Sequence, residues 1–252
     1  MNDTHSPFEI LYEDGQLIAI NKPWGILVHR TGLSEDRQFV LQMLREQMGG
    51  AHVFVVHRLD RGTSGVLLFA KTSEMAGRLG EQFMARSVEK KYVAIVRGHV
   101  PEQITVDYPL SDKETGKVAL PAVTHFRRLR IAEIPVAIGY KYATARFSLV
   151  ECTLETGRRH QIRKHLAHLR YPVIGDVRHG DNKQNNYFKA HFDIPRMLLH
   201  AHLLAFEHPE TGLPLVIQAP WDAWFEQALV ITGLNMRGDQ ADFYTVGHGS
   251  GY

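Results

Sequence analysis

One carboxylate, that of Asp60, stands among residues whose types suit chemistry. The sequence around it is HRLDRGTSG over residues 57–65, with Arg58 and Arg61 on either side, and an apolar run, VLLFA, follows. An apolar run after a glycine-rich turn predicts a buried strand, so the turn should lie at the rim of a rigid sheet. Neighbouring cations favour the ionised form that a nucleophile or base needs. The alternative is a loop aspartate that caps a turn or pairs with one of the two arginines.

A second group of residues suited to chemistry lies at 157–170. This segment has no acidic residue, and its basic residues are Arg158, Arg159, Arg163, Lys164 and Arg170, with His160, His165 and His168. The spacing predicts a helix over 158–169 whose narrow apolar stripe places Arg163 beside the core. A guanidinium there needs a carboxylate or phosphate partner, because an unpaired buried charge is costly, and Asp60 is a candidate. Alternatively, the helix lies at the surface and the aliphatic parts of its arginine side chains cover apolar surface of the protein.

The histidines raise the question of a metal site. His165 and His168 are three residues apart, and His200 and His202 alternate on a predicted strand. Neither pair comes with an HExxH motif, a cysteine pair or a third ligand at a recognisable spacing, so a catalytic metal is not expected. The sequence also has no Walker A motif and no GxGxxG motif, so a nucleotide cofactor is not expected.

Length and composition predict one globular domain over residues 1–234 and a polar, flexible tail over 235–252. The net charge of +2 is too small to indicate nucleic-acid binding, but basic residues cluster at 86–91, 125–130 and 157–170, which favours a positive face. Cys152 is the only cysteine, which fits a reducing compartment. No segment approaches the roughly 18 apolar residues of a membrane span, so a cytoplasmic protein is expected.

Periodicity and turn signals predict alternating strands and helices. Strands are expected as a hairpin over 8–21 and over 53–56, 65–70, 92–96, 124–131, 143–154, 198–206 and 213–217. Helices are expected over 40–48, after a cap at Thr72 or Ser73, over 158–169 and over 220–230. The polar segments 101–121 and 175–192 are expected to be mostly loop.

Three blocks of the chain together resemble the RluA-type family of pseudouridine synthases. They are NKPWGILVH at 21–29, HRLDRGTSGVLLFAK at 57–71 and the arginine-bearing block at 156–176. The resemblance implies an α+β fold with a mixed, mainly antiparallel sheet and flanking helices. It also implies an RNA-modifying isomerase that converts a specific uridine to pseudouridine without a metal or an organic cofactor.

Weaker features indicate which RNA is modified. The segments PAVTH at 121–125 and HGD at 179–181 are similar to members that act on uridine 65 of tRNA. Members that act on 23S rRNA are the alternative, and a catalytically silent RNA-binding protein is less favoured. No S4-type domain is expected before the first block, and no protein partner is implied.

The resemblance also implies roles for individual residues. Asp60 matches the nucleophilic aspartate, Arg163 the arginine that pairs with it, and Tyr92 the tyrosine that packs on the target base. Arg58 matches the arginine that fills the space left by the flipped base, and Leu199, or else Leu198, matches the apolar residue beneath the base. Further RNA contacts are expected from His57, Thr63, Arg127, Arg159 and Lys164, while Trp24 stands where the family suggests a small residue. The sequence leaves open whether Asp60 attacks the ribose, attacks the base or removes a proton from the sugar.

Overall fold

The structure is a computed structural model that describes residues 7–29, 38–112, 117–138 and 142–235, without the side chains of residues 112 and 117. The chain divides into two compact units: unit 1 is Met1–Lys90 with Ala201–Ala219, and unit 2 is Lys91–His200 with Pro220–Tyr252. The single catalytic domain predicted over 1–234 therefore remains a prediction. The predicted tail lies outside the described residues, apart from Asn235.

Both units combine helices with antiparallel strands, which confirms the predicted α+β class. In chain order the elements are β1 (Glu9–Glu13), β2 (Leu17–Lys22), α1 (Val40–Gln47), β3 (Phe54–Val55), β4 (Ser64–Ala70), α2 (Ser73–Ala85), β5 (Glu89–Arg97), β6 (Gln103–Asp107), β7 (Leu110–Asp112), β8 (Lys117–Leu120), β9 (Val123–Ile134), β10 (Ala145–Leu154), α3 (Gln161–His168), α4 (Asn182–Phe192), β11 (Leu199–Glu207), β12 (Pro214–Gln218) and α5 (Ala223–Thr232). Among these helices, none is long and apolar enough to cross a membrane.

Strand β4 is the centre of unit 1. It pairs with β2 along most of its length and with β3 near its end, while β1 pairs with the other edge of β2 and β12 pairs with β11. All seven residues of β4 are buried. Val66, Leu68 and Ala70 share one apolar cluster with Met75 and Leu79 of α2. The apolar run that follows the Asp60 turn is therefore a core strand, as predicted.

Unit 2 is built on four antiparallel strands in the order β5, β10, β9, β6, and a separate hairpin is formed by β7 and β8. Successive residues of a strand point to opposite faces of the sheet. Accordingly, Val93 and Ile95 pack with residues of α4 and α5, whereas Ala94 and Val96 pack with residues of α3. These strands of unit 2 thus carry α3 on one face and α4 and α5 on the other.

Most of the predicted elements are confirmed, with shifted ends. The first hairpin is β1 and β2, and α1 is followed by Gly49 and Gly50, which both have positive φ. Helix α2 has the predicted cap, because the Thr72 hydroxyl accepts a hydrogen bond from the Met75 amide at 3.2 Å. The strands predicted over 124–131 and 143–154 are β9 and β10.

Two segments predicted to be mostly loop are structured, so those predictions are wrong. Residues 101–121 contain β6 and the β7–β8 hairpin. Strand β6 buries only Val106, because it is a short edge strand, and its apolar signal is correspondingly weak. Residues 182–192 form α4, which begins after Asp181, whose side chain accepts hydrogen bonds from two amides of the first turn. Only Gln184 and Phe188 of α4 are buried, so the helix has no apolar stripe to reveal it.

The predicted basic helix is also shorter than expected. Helix α3 begins at Gln161, after His160 in a left-handed conformation, and it ends at His168. Arg159 therefore precedes the helix and does not share a helical flank with Arg163.

Gly65 permits a close approach between two strands of unit 1. Its φ of +108° is a conformation that side chains disfavour, and a Cβ there would lie 2.1 Å from the carbonyl oxygen of Ala201 on β11. Any other residue would force the backbone of β11 away. The glycine that ends the Asp60 turn is therefore required by the packing of β4.

We predict that Gly65→Ala lowers the free energy of unfolding by more than about 2 kcal/mol, because both the backbone conformation and the strand contact are strained. Gly77→Ala is the matched control, since nothing lies within 4 Å of the Cβ position of this glycine inside α2. There the change should be neutral or stabilise the protein by up to about 1 kcal/mol. Urea unfolding followed by circular dichroism measures both, and equal values for the two variants would contradict the close approach.

Candidate active site and basic cleft

The Asp60 loop of unit 1 is a tight turn between β3 and β4. The Thr63 amide donates a hydrogen bond to the Asp60 carbonyl oxygen at 3.1 Å. Leu59, Thr63 and Ser64 are buried, whereas Asp60 is half-buried and Arg58 is exposed. The turn therefore keeps the two predicted functional side chains accessible while their neighbours are fixed in the core.

A buried lysine holds this turn. Lys22 is the last residue of β2 and is fully buried. Its Nζ donates to the carbonyl oxygens of Pro23 at 2.9 Å, Thr63 at 2.9 Å and Arg61 at 3.4 Å. A buried ammonium needs acceptors for its three protons, and these backbone carbonyls are within reach. Lys22 thus fixes the residues that follow Asp60, a role that the sequence did not reveal.

Backbone contacts also join the turn to the residues after β2. The Gly25 amide donates to the Arg61 carbonyl oxygen at 2.9 Å, and Arg61 Nε donates to the Gly25 carbonyl oxygen at 2.8 Å. Trp24, the unexpected residue of the first sequence block, is half-buried beside Gly25. The first two blocks are therefore parts of one local structure.

The side chain of His57 supports strand β4. Its Nε2 accepts a hydrogen bond from the Leu68 amide at 3.0 Å, and its ring stacks on Phe83 of α2 with centroids 5.1 Å apart. An imidazole nitrogen can accept only when it carries no proton. Burial of the ring and the charge of Lys90 lower the pKa of His57 to about 3, which keeps it neutral. This is a structural role, and the RNA contact expected of His57 remains a prediction.

In unit 2, Arg163 has a carboxylate partner that the sequence did not identify. Its Nε and an Nη donate to the two carboxylate oxygens of Asp176 at 2.7 and 2.8 Å, and both side chains are buried. One of these oxygens also accepts the amides of Arg178 and His179 at 2.9 and 3.0 Å. Burial raises the pKa of Asp176, but these hydrogen bonds and the Arg163 charge hold it below its usual value. Pairing of Arg163 with Asp60, a residue of unit 1, remains a prediction.

Tyr92 and Leu199 lie in the same apolar cluster of unit 2. Leu199 is buried there with Ile162 of α3, and the half-buried Tyr92 packs against the cluster. Leu198 belongs to the cluster on the other face, and its carbonyl oxygen accepts the Ile95 amide at 3.1 Å. The structure thus brings together Tyr92, Leu199 and the helix that carries Arg163. This packing favours Leu199 over Leu198 as the apolar residue beneath a base.

The charge of Arg127 is offset by an acidic neighbour. Arg127 is exposed on β9, and its Nε and an Nη each lie 3.0 Å from Oε1 of Glu151 on β10. Glu151 is largely buried. The RNA contact expected of Arg127 remains a prediction, and the ion pair is the contact that the structure shows.

Arg159 and Lys164, two further residues expected to bind RNA, line a cleft of about 500 Å³ in unit 2. The lining residues are Tyr108, Pro109, Leu110, Ser111, Ala119, Arg159, His160, Lys164, Arg178 and His179. None of these described lining residues is acidic, so the cleft suits an anion. Arg178 thereby joins Arg159 and Lys164 as a cationic residue of the cleft, and the rings of His160 and His179 lie beside them.

The absence of a metal site remains a prediction. Within the described ranges, no three His, Cys, Asp or Glu side chains are grouped so that they could hold a metal ion. His165, one of the histidines considered, instead contacts the Thr124 hydroxyl through Nδ1 at 2.9 Å and the Tyr108 carbonyl oxygen through Nε2 at 3.0 Å.

Comparison with known proteins identifies the family. A family model described as RNA pseudouridylate synthase matches residues 16–168, which include the Asp60 turn, Tyr92 and Arg163. The chain belongs to this pseudouridine synthase family. It is 46% identical over 245 residues to tRNA pseudouridine synthase C of Pectobacterium carotovorum subsp. carotovorum, covering 93% of this chain and 64% of that protein. It is 47% identical over 224 residues to the protein of the same name from Vibrio cholerae serotype O1, covering 85% of this chain and 91% of that protein.

A solved pseudouridine synthase structure has a similar fold. Human RNA pseudouridylate synthase domain containing 4 superposes with a TM-score of 0.71 at 28% identity, over 91% of this chain and 94% of that chain. The family, the enzyme class and the fold class predicted from the three sequence blocks are thus confirmed.

In this pseudouridine synthase, Lys22→Met should lower the free energy of unfolding by about 2–4 kcal/mol, because buried carbonyl groups lose their donor while the side-chain volume is kept. Lys189→Met, at an exposed position of α4, is the control and should change it by less than about 0.5 kcal/mol. Urea unfolding measures both. Similar values for the two variants would show that the buried ammonium does not hold the turn.

The stability of the enzyme should also depend on pH through His57. The folded pKa of about 3 lies below the ordinary value of 6.5, so between these pH values the unfolded chain binds more protons. The stabilisation is complete above pH 6.5 and is lost as the pH falls toward 3, by up to about 1.4 kcal/mol per pH unit.

Two variants test this pH dependence. His57→Gln retains an acceptor for the Leu68 amide but does not titrate, so its stability should fall less steeply with decreasing pH. His52→Gln, at an exposed position, should retain the wild-type slope. A His57 ring signal that titrates near pH 6.5 in nuclear magnetic resonance spectra would contradict the neutral, hydrogen-bonded imidazole.

Proposed function

We propose that this protein converts uridine 65 of tRNA to pseudouridine. The relatives named tRNA pseudouridine synthase C, at 46% and 47% identity, support tRNA as the substrate. The segments at 121–125 and 179–181 support position 65, since they are similar to members that act there. The observation that carries the proposal is the fixed turn that keeps Asp60 accessible within the family-matched residues.

The reaction needs a carboxylate and a place for an extruded nucleotide. It breaks the C–N glycosidic bond of uridine and forms a C–C bond between the same base and sugar, with no net change in oxidation state. A nucleotide in folded RNA has to leave its stack to react, at a cost of a few kcal/mol. We assign the carboxylate chemistry to Asp60, because it is the acidic residue of the family's catalytic block and the residues that follow it are held by hydrogen bonds of Lys22 and Arg61.

The surroundings of the base are assigned to three other residues. Tyr92 is half-buried against the cluster that includes Leu199, which suits an aromatic face on which a base can stack. Arg58 is exposed two residues before Asp60 and can enter the space that the base leaves. These assignments extend the roles implied by the family to the positions of this chain.

Arg163 is assigned to keep the catalytic carboxylate ionised. A planar guanidinium binds a carboxylate with two parallel hydrogen bonds, and Asp176 already engages one edge of it in this way. That engagement fixes the plane of the guanidinium and the direction of its remaining N–H groups. Asp176 therefore supports the proposed role of Arg163 without taking part in the chemistry.

The alternative substrate is 23S rRNA, and the two RNAs can be distinguished directly. Pseudouridine would be mapped in tRNA and 23S rRNA from cells with and without the gene. Loss of pseudouridine from tRNA position 65 alone supports the proposal, and loss from rRNA alone overturns it. Because tRNA is its proposed substrate, we also propose the cytoplasm as its location.

We predict that Asp60→Asn lowers pseudouridine formation at position 65 of a tRNA transcript by at least about a thousandfold, because an amide can act neither as nucleophile nor as base. Binding of the same transcript should change by less than about threefold, since one charge on an accessible turn is altered. Asp193→Asn is the matched control, because Asp193 is exposed at the end of α4 with a φ of 52° that asparagine adopts readily.

Modification is measured by primer extension after carbodiimide treatment, and binding by filter retention. Full activity of Asp60→Asn would overturn the assignment of this carboxylate. Wild-type protein that binds tRNA without modifying it would favour the catalytically silent RNA-binding alternative.

A further inference from the structure

We propose that the basic cleft of unit 2 binds a non-reacting phosphate of the RNA backbone and so contributes to substrate affinity. The inference rests on the proposed function, because that function makes RNA the ligand. The residues assigned to the phosphate are Arg159, Lys164 and Arg178, with His160 and His179 beside them. Among these residues, the sequence predicts RNA contacts only for Arg159 and Lys164.

The cleft is a gap between three segments of unit 2. The β7–β8 hairpin and the residues before it form one wall, through Tyr108–Ser111 and Ala119. Residues at the start of α3 form the second wall, and the loop that contains Arg178 and His179 forms the third. A volume of about 500 Å³ is ample for a phosphate group and its neighbouring sugar.

The hairpin wall is tied to α3 by three contacts. Lys164 Nζ donates to the Ser111 carbonyl oxygen at 2.9 Å, and His165 Nε2 lies 3.0 Å from the Tyr108 carbonyl oxygen. The Tyr108 ring stacks on His168 with centroids 4.3 Å apart. These contacts hold the cleft open in the absence of a ligand, which lowers the cost of ordering it on binding.

The loop wall is equally well fixed. Asp176 accepts hydrogen bonds from the amides of Arg178 and His179, and the same carboxylate accepts a hydrogen bond from Arg163. His160 Nδ1 and His179 Nε2 lie 3.0 Å apart, which joins this loop to the start of α3. The backbone that carries the Arg178 guanidinium is therefore preformed, although its side chain is exposed.

The charges around the cleft favour an anion. The Asp176 carboxylate on the loop is buried and bound to Arg163, and no described lining residue is acidic. Burial lowers the pKa of His179, and although Asp176 opposes this, the charges of Arg163, Lys164 and Arg178 lower it further. Arg163, Lys164 and Arg178 thus lie near enough to the His179 ring to disfavour its protonation. Guanidinium groups can bind phosphate oxygens through two parallel hydrogen bonds.

The test uses the intact protein and a tRNA transcript. The double variant Arg159→Gln/Arg178→Gln should weaken tRNA binding about 10- to 100-fold at moderate salt. The slope of log K against log salt concentration should become shallower by about 1 to 2, as expected when one or two phosphate contacts are lost. KM should rise by a similar factor, whereas kcat should change by less than about twofold, because binding that is equal in the ground and transition states affects KM alone.

The control removes the same charge elsewhere in unit 2. Lys183→Gln/Lys189→Gln, at two exposed positions of α4, should leave the slope and KM within about twofold of wild type. Arg159→Lys/Arg178→Lys keeps the charge and should restore the salt slope. Thermal unfolding checks that each variant is folded. If Arg159→Gln/Arg178→Gln is unfolded, Arg178→Gln alone replaces it, and half of the change in the salt slope is expected.

The outcomes separate this inference from the proposed function. If wild-type protein modifies tRNA but the cleft and control variants bind it equally, the phosphate site is wrong and the function stands. If tRNA is bound through the cleft but not modified, the site stands and the proposed enzyme activity fails. Inorganic phosphate is the second probe. If it shifts the His179 ring signals while tRNA binding is unchanged in the cleft variants, the cleft binds a free anion and the proposal is overturned.

Discussion

Positive charge removed from water is the constraint on which both units of this protein depend. Lys22, Arg163 and Arg196 are all buried, and an unpaired charge in such a place costs several kcal/mol. Each of these three side chains is stabilised by different hydrogen-bond partners. Lys22 donates to three backbone carbonyls, Arg163 binds Asp176 through both ends of a fork, and Arg196 pairs with Asp222 and donates to the Met197 carbonyl oxygen at 3.0 Å. Burial lowers the pKa of Arg196 to about 10, which leaves it charged at neutral pH.

Two of these buried charges also fix the backbone of loops to which functions are proposed. Loops that carry functional residues are often mobile, because few contacts fix their backbones. Here the Lys22 ammonium fixes the turn after Asp60 through carbonyl groups, and the carboxylate that binds Arg163 fixes Arg178 and His179 through amides. In both cases a charged side chain forms hydrogen bonds with backbone groups of the loop. These bonds fix the loop backbone whichever side chains the loop carries. The same kind of contact therefore holds the turn of the proposed catalytic carboxylate in one unit and the loop of the proposed phosphate site in the other.

The sequence predicted the parts of the fold whose signal is apolar and local. Strand β4 was visible as an unbroken apolar run, and α2 as a stripe preceded by Thr72. Helix α4 was missed because its signal is polar: it buries only two residues, and the aspartate that begins it lies in a segment rich in asparagine and lysine. Strand β6 was missed because an edge strand pairs on one side and buries little. Propensity and periodicity cannot report an element that tertiary contacts stabilise in this way.

The sequence suggested residue types for a site, but it did not identify the partners that the structure gives them. A guanidinium beside the core was expected to need a carboxylate, yet the pattern did not single out Asp176, 13 residues away. Lys22 and Thr63 are 41 residues apart, and a lysine that ends a strand reads like any surface lysine until the fold closes around it. Family resemblance supplied the proposed roles of Asp60, Tyr92 and Leu199, because no local pattern distinguishes these residues from a capping aspartate, a strand aromatic and a core leucine. The contacts that hold such residues in place are visible only in the structure.

The small net charge of the chain combines two groups of basic residues, those paired with carboxylates and those that line the cleft. Several carboxylates are occupied with cations that have a structural or neutralised role, as Asp176 is with Arg163 and Glu151 with Arg127. The cleft, in contrast, is lined by Arg159, Lys164 and Arg178 with no acid among its described residues. The net charge of +2 is therefore compatible with a cleft in which positive charge is concentrated, because other cations are paired with carboxylates. For an enzyme that must hold a polyanion, the local arrangement of charge matters more than its total, because screening confines each contact to about 8–10 Å at physiological salt.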